Sequence, residues 1–131
     1  MIAKAETKYL RMSPMKARQV IALIKNKPVN QALAILMTVN KKPTFYLKKI
    51  LESALNNAKN KGFEASQLFV SNMIALNGPM WKRFRAGSFG RAQPILKHTT
   101  HVKIELDLMP EAVTKEAFKD KTSKSKKTAV K

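Results

Sequence analysis

The sequence predicts an α+β domain that carries one long, basic, aromatic excursion. Three observations predict it. Apolar residues recur at helical spacing within residues 13–61. Apolar residues gather at strand spacing in two later segments, near residues 68–74 and 102–108. Between them the chain loses its acids, since residues 65–104 contain no acidic residue.

The elements follow in order. Residues 2–12 are short and mixed, and Tyr9 and Leu10 favour a strand. Ser13 followed by Pro14 has the form of a helix N-cap with proline in the first turn. Ala17, Val20, Ile21 and Ile24 then recur at i, i+3, i+4, i+7, which is one helix face. Pro28 interrupts, and Ala32, Leu33, Ile35 and Leu36 make a second, shorter apolar helix. Pro43 interrupts again. Leu47, Ile50, Leu51, Ala54, Leu55 and Ala58 keep strict helical spacing until Gly62, a natural stop. Lys48, Lys49, Lys59 and Lys61 lie off that stripe.

Val102, Ile104, Leu106 and Leu108 alternate with Lys103, Glu105 and Asp107, as in a strand with one buried face. Leu68, Phe69, Val70, Met73 and Ile74 supply the opposite arm. Pairing of these arms turns the segment between them into an extended hairpin. About 12 residues per side at roughly 3.3 Å each would reach about 40 Å. Gly87 and Gly90 are the expected turn, because glycine tolerates positive φ. There are no internal repeats. Residues 110–131 read as a basic tail of mostly Lys, Thr, Ser, Ala and Glu, expected to be disordered.

Composition limits the function. The chain has 131 residues, which fits one domain, and a formal net charge of +18. Solubility needs only about 2–8 units. The excess repels itself on folding, so a partner is expected to bring counter-charge: nucleic acid, an anionic membrane surface or an acidic protein. No cysteine is present, which removes disulfides and thiolate metal sites. No apolar run approaches the roughly 18 residues of a membrane span. The N-terminus shows neither a signal-peptide core nor a transit peptide.

The hairpin segment carries the functional expectation. Lys82, Arg83, Arg85, Arg91 and Lys97 are interleaved with Trp81, Phe84 and Phe89. Cations bind phosphates, and planar side chains stack on unpaired bases. A second group, Arg11, Lys16 and Arg18, clusters with Ser13 at a helix start, where free backbone N–H groups already favour anions. His98 and His101 are three residues apart, so in a strand they face opposite sides, and no carboxylate lies within three residues of either. No metal site is expected there. Glu105 and Asp107 share a strand face but read as its polar side rather than an acid–base pair. With eight acids, two histidines and no Walker-type or dinucleotide-binding glycine loop, no catalytic constellation emerges and no cofactor is expected.

Several motifs then stand in a recognisable order. A Ser-Pro-x-Lys-Ala-Arg helix start precedes two further helices and a strand. A Gly-Pro-x-x-Lys-Arg entry follows, then Gly-Arg-Ala near a turn, then Ile-Leu-Lys-His-Thr-Thr-His-Val. Over roughly residues 3–108 this resembles the large-subunit ribosomal protein of the L-twenty-two family.

The resemblance implies three helices packed on a small three-stranded antiparallel sheet, with a protruding β-hairpin. It implies a single rRNA-binding domain over 1–109, hairpin about 77–101 included. It implies an assembly role in the large subunit and a hairpin tip lining the nascent-peptide exit tunnel. On that reading Arg11, Ser13, Lys16, Arg18, Lys82, Arg83, Arg85, Arg91, Lys97, His98, Thr99, Thr100 and His101 are the rRNA-binding residues. Arg85, Ala86, Gly87, Ser88, Phe89, Gly90, Arg91 and Ala92 form the tunnel-lining tip. The stretch Ala86-Gly87-Ser88-Phe89 is neutral where family members are richer in basic residues, and the tail after about residue 109 has no counterpart in the pattern.

The implied partners are large-subunit rRNA, neighbouring large-subunit proteins and the nascent polypeptide, with no homo-oligomer. The implied location is a ribosome in a bacterial cytoplasm, and an organelle that encodes its own ribosomal proteins fits as well. The rival readings are a free-standing RNA or DNA regulator and a binder of anionic membranes.

Overall fold

The computed structural model describes residues 1–109. The basic tail at 110–131 lies outside them. Strand β1 (Ala3–Leu10) is followed by helices α1 (Pro14–Ile24), α2 (Val29–Thr38) and α3 (Lys42–Lys59). Strands β2 (Leu68–Asn77), β3 (Trp81–Ala86), β4 (Ala92–Lys97) and β5 (Thr100–Leu108) follow among the described residues. They form a three-stranded antiparallel sheet in the order β1-β5-β2 and a separate two-stranded ribbon, β3-β4. The expected α+β class and the three helices on a small sheet are what the chain adopts.

The helices arise as their spacing dictates. Ala17, Val20, Ile21 and Ile24 are buried on α1, and Leu47, Ile50, Leu51, Ala54, Leu55 and Ala58 on α3. Helix α3 packs across β1 and β5, and α1 packs on β2. The α3 stripe is therefore committed to the core and not offered to a membrane surface. Gly62 ends this region with φ +84. Its N–H donates to the Lys59 carbonyl at 2.8 Å and the Phe63 N–H to the Ala58 carbonyl at 3.2 Å. These are the two bonds of a Schellman ending, which requires a left-handed residue. Ser13 occupies the N-cap position of α1 but makes no side-chain capping bond.

The strands depart from simple alternation at two bulges. Leu68 and Val70 are buried, then Met73 and Ala75. The register against β5 shifts between Val70 and Asn72, so the inward phase skips one residue. Ile74, expected on the buried arm, is consequently exposed. In β1 the register shifts between Thr7 and Leu10, and Tyr9 takes φ 58. Val102, Ile104 and Leu106 are fully buried, but Leu108 at the strand end is 46% exposed.

The outer sheet face is matched in charge. Lys4 sits opposite Glu105 and Glu6 opposite Lys103. Lys103 Nζ lies 2.9 Å from Glu105 Oε1, and the Met1 ammonium 2.8 Å from Asp107 Oδ2. The hydrogen bond from Lys103 holds the Glu105 carboxyl below its usual value, and that from the N-terminal ammonium does the same for Asp107.

A knot at the start of β5 ties the ribbon to this body. Thr100 is fully buried, and its hydroxyl donates to the Met12 carbonyl at 2.7 Å. The Thr99 hydroxyl donates to the Pro79 carbonyl at 2.6 Å, and the Gly78 N–H to the Thr99 carbonyl at 2.9 Å. The Tyr9 N–H, freed from the ladder by its bulge, donates to His101 Nδ1 at 3.0 Å, with the two rings edge to face at 4.8 Å. A Cβ on Gly78 would collide with the Thr99 hydroxyl and lie 3.1 Å from His101 Nε2.

Two expectations follow from these contacts. Gly78→Ala should destabilise the protein by about 1–3 kcal/mol through overpacking, and should cost less when Thr99 is already alanine. Thermal denaturation of the two single variants and the double variant checks this, and simple additivity would sink it. The lowered pKa of Glu105 gives stability that is complete above the unfolded carboxylate value of about 4.3 and is lost as pH falls through the folded one. Glu105→Gln should therefore lose less stability than the parent as pH drops below that value, as read by urea denaturation across pH.

Candidate nucleic-acid interface

The ribbon supplies most of the predicted residues. Its register pairs Trp81 with Lys97, Arg83 with Ile95 and Arg85 with Gln93. Directly opposed residues share a face, and alternate residues along a strand do too. One face therefore carries Trp81, Arg83, Arg85, Gln93, Ile95 and Lys97. The other carries Lys82, Phe84, Ala86, Ala92, Pro94 and Leu96, apolar except at its base. Every residue of both strands is exposed. The ribbon is thus two-sided, with its arginines gathered on one side.

Each paired arm has six residues, a span of about 20 Å. The ladder is not continuous with the sheet below it. Pro79 supplies the reason: it has no N–H to give to the ladder, so pairing stops at Gly78 and resumes at Trp81. The turn also differs in detail. Gly90 takes φ +70, but the other left-handed residue is Phe89 at φ 53, while Gly87 is extended with φ −111. The Gly87 N–H donates to the Arg91 carbonyl at 2.7 Å and closes the turn. Phe89 is 100% exposed at the tip.

At the ribbon base, a cleft of about 410 Å³ is lined by Arg11, Met12, Ser13, Lys42, Tyr46, Trp81, Leu96, Lys97, His98 and Thr99. The Arg11 guanidinium lies 4.6 Å above the Trp81 ring, and that of Arg83 lies 5.8 Å from the same ring. Such cation–π stacking holds a long side chain in one pose. The starts of α1 and α3, at Ser13 and Lys42, both border the cleft, and neither helix has a side-chain cap. Helix N-termini add positive potential. None of Glu6, Glu52, Glu64, Glu105 and Asp107 lines it.

The predicted residues thus fall into separate places. Arg11, Ser13, Lys97, His98 and Thr99 meet at the cleft, while Arg83 and Arg85 continue its cationic face up the ribbon. Arg91 stands alone at the tip. Lys16 borders a different groove with Lys41 and Lys42. Arg18 crosses to the end of β2, where its Nε and an Nη donate to the Ala75 carbonyl at 3.2 and 3.1 Å. Thr99, Thr100 and His101 were expected to touch RNA. Thr99 and Thr100 are instead buried with their hydroxyls committed inside, and His101 is half-buried with Nδ1 taken by Tyr9. Their side chains set the ribbon's exit, and Thr99 also lines the cleft.

Sequence reasoning missed Lys42 and Tyr46. The pair opens α3, and no spacing relates residues 42 and 46 to residues 11 and 81. Only the packing of α3 beside β1 brings them there. Among the described residues no group of three or more His, Asp or Glu could hold a metal. No described helix is long and apolar enough to cross a membrane.

Comparison with known proteins identifies the family. The family model described as Ribosomal protein L22p/L17e matches residues 5–107. The chain is 41% identical over 128 residues to the large ribosomal subunit protein uL22 of Metamycoplasma arthritidis, covering 93% of this chain and 61% of that longer relative. At 93% of this chain, that match runs past Met109 into the tail. The uL22 proteins of Mesoplasma florum and Halothermothrix orenii are 45% and 44% identical over 105 residues, covering 79% of this chain and 94% and 93% of those relatives. A family match spanning β1 to β5, together with relatives of this identity, establishes that the chain belongs to the ribosomal protein L22p/L17e family.

Proposed function

We propose that the chain is a structural constituent of the large ribosomal subunit in a bacterial-type cytoplasm. It binds large-subunit rRNA through residues 1–109, supports subunit assembly and lines the nascent-peptide exit tunnel with its hairpin tip. Its neighbours are other large-subunit proteins and the emerging polypeptide, and its work is positional rather than catalytic.

The observation that carries the rRNA reading is the cationic face of the ribbon. Trp81, Arg83, Arg85 and Lys97 lie exposed on one side, continuous with Arg11 and Lys42 at the base, in a stretch without a single acid from 65 to 104. A surface of this kind gains free energy by releasing the counterions of a polyanion. A two-stranded ribbon is marginal alone in water, so the exposed Phe84 and Phe89 suit a ribbon that is surrounded in use. The Phe89 tip, with Arg91 beside it, is the segment assigned to the tunnel wall.

Replacement of Arg83, Arg85 and Arg91 together by alanine should flatten the plot of log K for rRNA against log salt. Each lost phosphate contact removes about 0.7–0.9 from the slope. An unchanged slope would show that these side chains are not phosphate contacts. In a salt-containing sucrose gradient the tagged protein should sediment with large subunits, with RNA crosslinks mapping to residues 82–97. Protein left at the top, crosslinked to other RNA, would favour a free regulator.

A further inference from the structure

We propose that the cleft at the ribbon base is a subsite for one unpaired ribonucleotide. Its base stacks on the Arg11–Trp81 pair and its phosphate faces Lys42 and Lys97. The proposal deepens the rRNA reading above and rests on it.

The lining selects the ligand class. The Arg11 guanidinium lies 4.6 Å over the Trp81 ring, yet among the described residues it has no carboxylate partner. A guanidinium fixed in place with its N–H fork uncommitted presents a planar face and in-plane donors together. Trp81 is 46% exposed, so indole surface also remains open. Tyr46 adds an aromatic wall from α3, and Lys42 and Lys97 add two cations from separate elements. A free phosphate would use the lysines and ignore the planar stack. A neutral aromatic would leave the cations without counter-charge. A nucleotide uses both, because it joins a π-face to an anion.

Size and shape agree. A volume of about 410 Å³ lies in the range of small-ligand sites, about 300–1,000 Å³. It has room for one nucleotide and none for a duplex. The site is also held in place. Thr99 lines it and is locked to Pro79, and its neighbour Thr100 is locked to Met12, another lining residue. Recognition of a splayed-out base is the usual way proteins read RNA, because an A-form duplex hides its base edges in a narrow groove.

Trp81 is the only tryptophan of the chain, so its fluorescence reports on the cleft. The full-length protein is titrated with AMP, CMP, GMP and UMP, with ribose 5-phosphate and inorganic phosphate as controls. The same preparation is assayed for binding to large-subunit rRNA. Saturable quenching by the nucleotides is expected, with ribose 5-phosphate at least about fivefold weaker, the lower end of what one stacked base supplies. Arg11→Lys keeps the charge and loses the planar fork. It should weaken the nucleotides by about fivefold or more and leave ribose 5-phosphate unchanged. Should Arg11→Lys fail to fold, Lys42→Ala, at an exposed surface position, should weaken both ligand types.

Equal response to nucleotides and ribose 5-phosphate, or no saturable quench, overturns the subsite while intact rRNA binding leaves the broader reading standing. Failure to bind rRNA overturns that reading and the subsite with it.

Discussion

The fully buried Thr100 hydroxyl, bonded to the Met12 carbonyl, is the contact on which the placement of everything functional depends. Met12 leads into α1, and Thr100 begins β5, the strand that both other sheet strands pair with. One buried bond thus joins the helix layer, the sheet and the returning arm of the ribbon. Leaving such a carbonyl unpaired inside a core costs about 1–3 kcal/mol. The neighbouring bonds, Thr99 to Pro79 and Tyr9 to His101, make the exit angle of the ribbon a property of the core. A ribbon with no buried residue of its own is held in direction by this knot and by the Arg11 contact on Trp81.

Charge is partitioned in keeping with that architecture. The outer sheet face sets Lys4 and Lys103 against Glu105 and Glu6, and β5 places Asp107 beside the N-terminal ammonium. Opposite charges across strands support the sheet only weakly, since water screens them. The ribbon receives no such compensation. Its arginines stand on one side, relieved only where Trp81 accepts Arg11 and Arg83 against its ring. The outer sheet face is paired in charge, whereas the ribbon carries Lys82, Arg83, Arg85, Arg91 and Lys97 with no acid among them.

The helices and the central strand were legible because their signal is local. Residues three and four apart on α1 and α3 meet the same layer, so their periodicity names the buried face without knowledge of the partner. Strand β2 was less legible because its bulge moves the buried phase by one residue, as Ile74 and Met73 show. A bulge leaves no signature in a single sequence, since it answers to the partner strand. The turn was half legible: Gly90 takes the left-handed conformation, but so does Phe89, and the reason lies in closure of the ribbon by Gly87 and Arg91.

By itself, then, the sequence determined the fold class, the buried faces of the helices, the acid-free basic segment and the family. Each rests on residue type and short-range order, which the chain carries wherever it folds. Tertiary structure alone decided which polar residues face inward and which outward. Thr99, Thr100 and His101 look like their exposed neighbours Lys97 and His98 in a string of letters. Their burial follows from sharing a strand end with Tyr9 and Met12, some ninety residues away. The cleft is likewise a product of long-range packing. Arg11 follows β1, Lys42 and Tyr46 open α3 and Trp81 begins β3, and only closure of the core makes these three places neighbours.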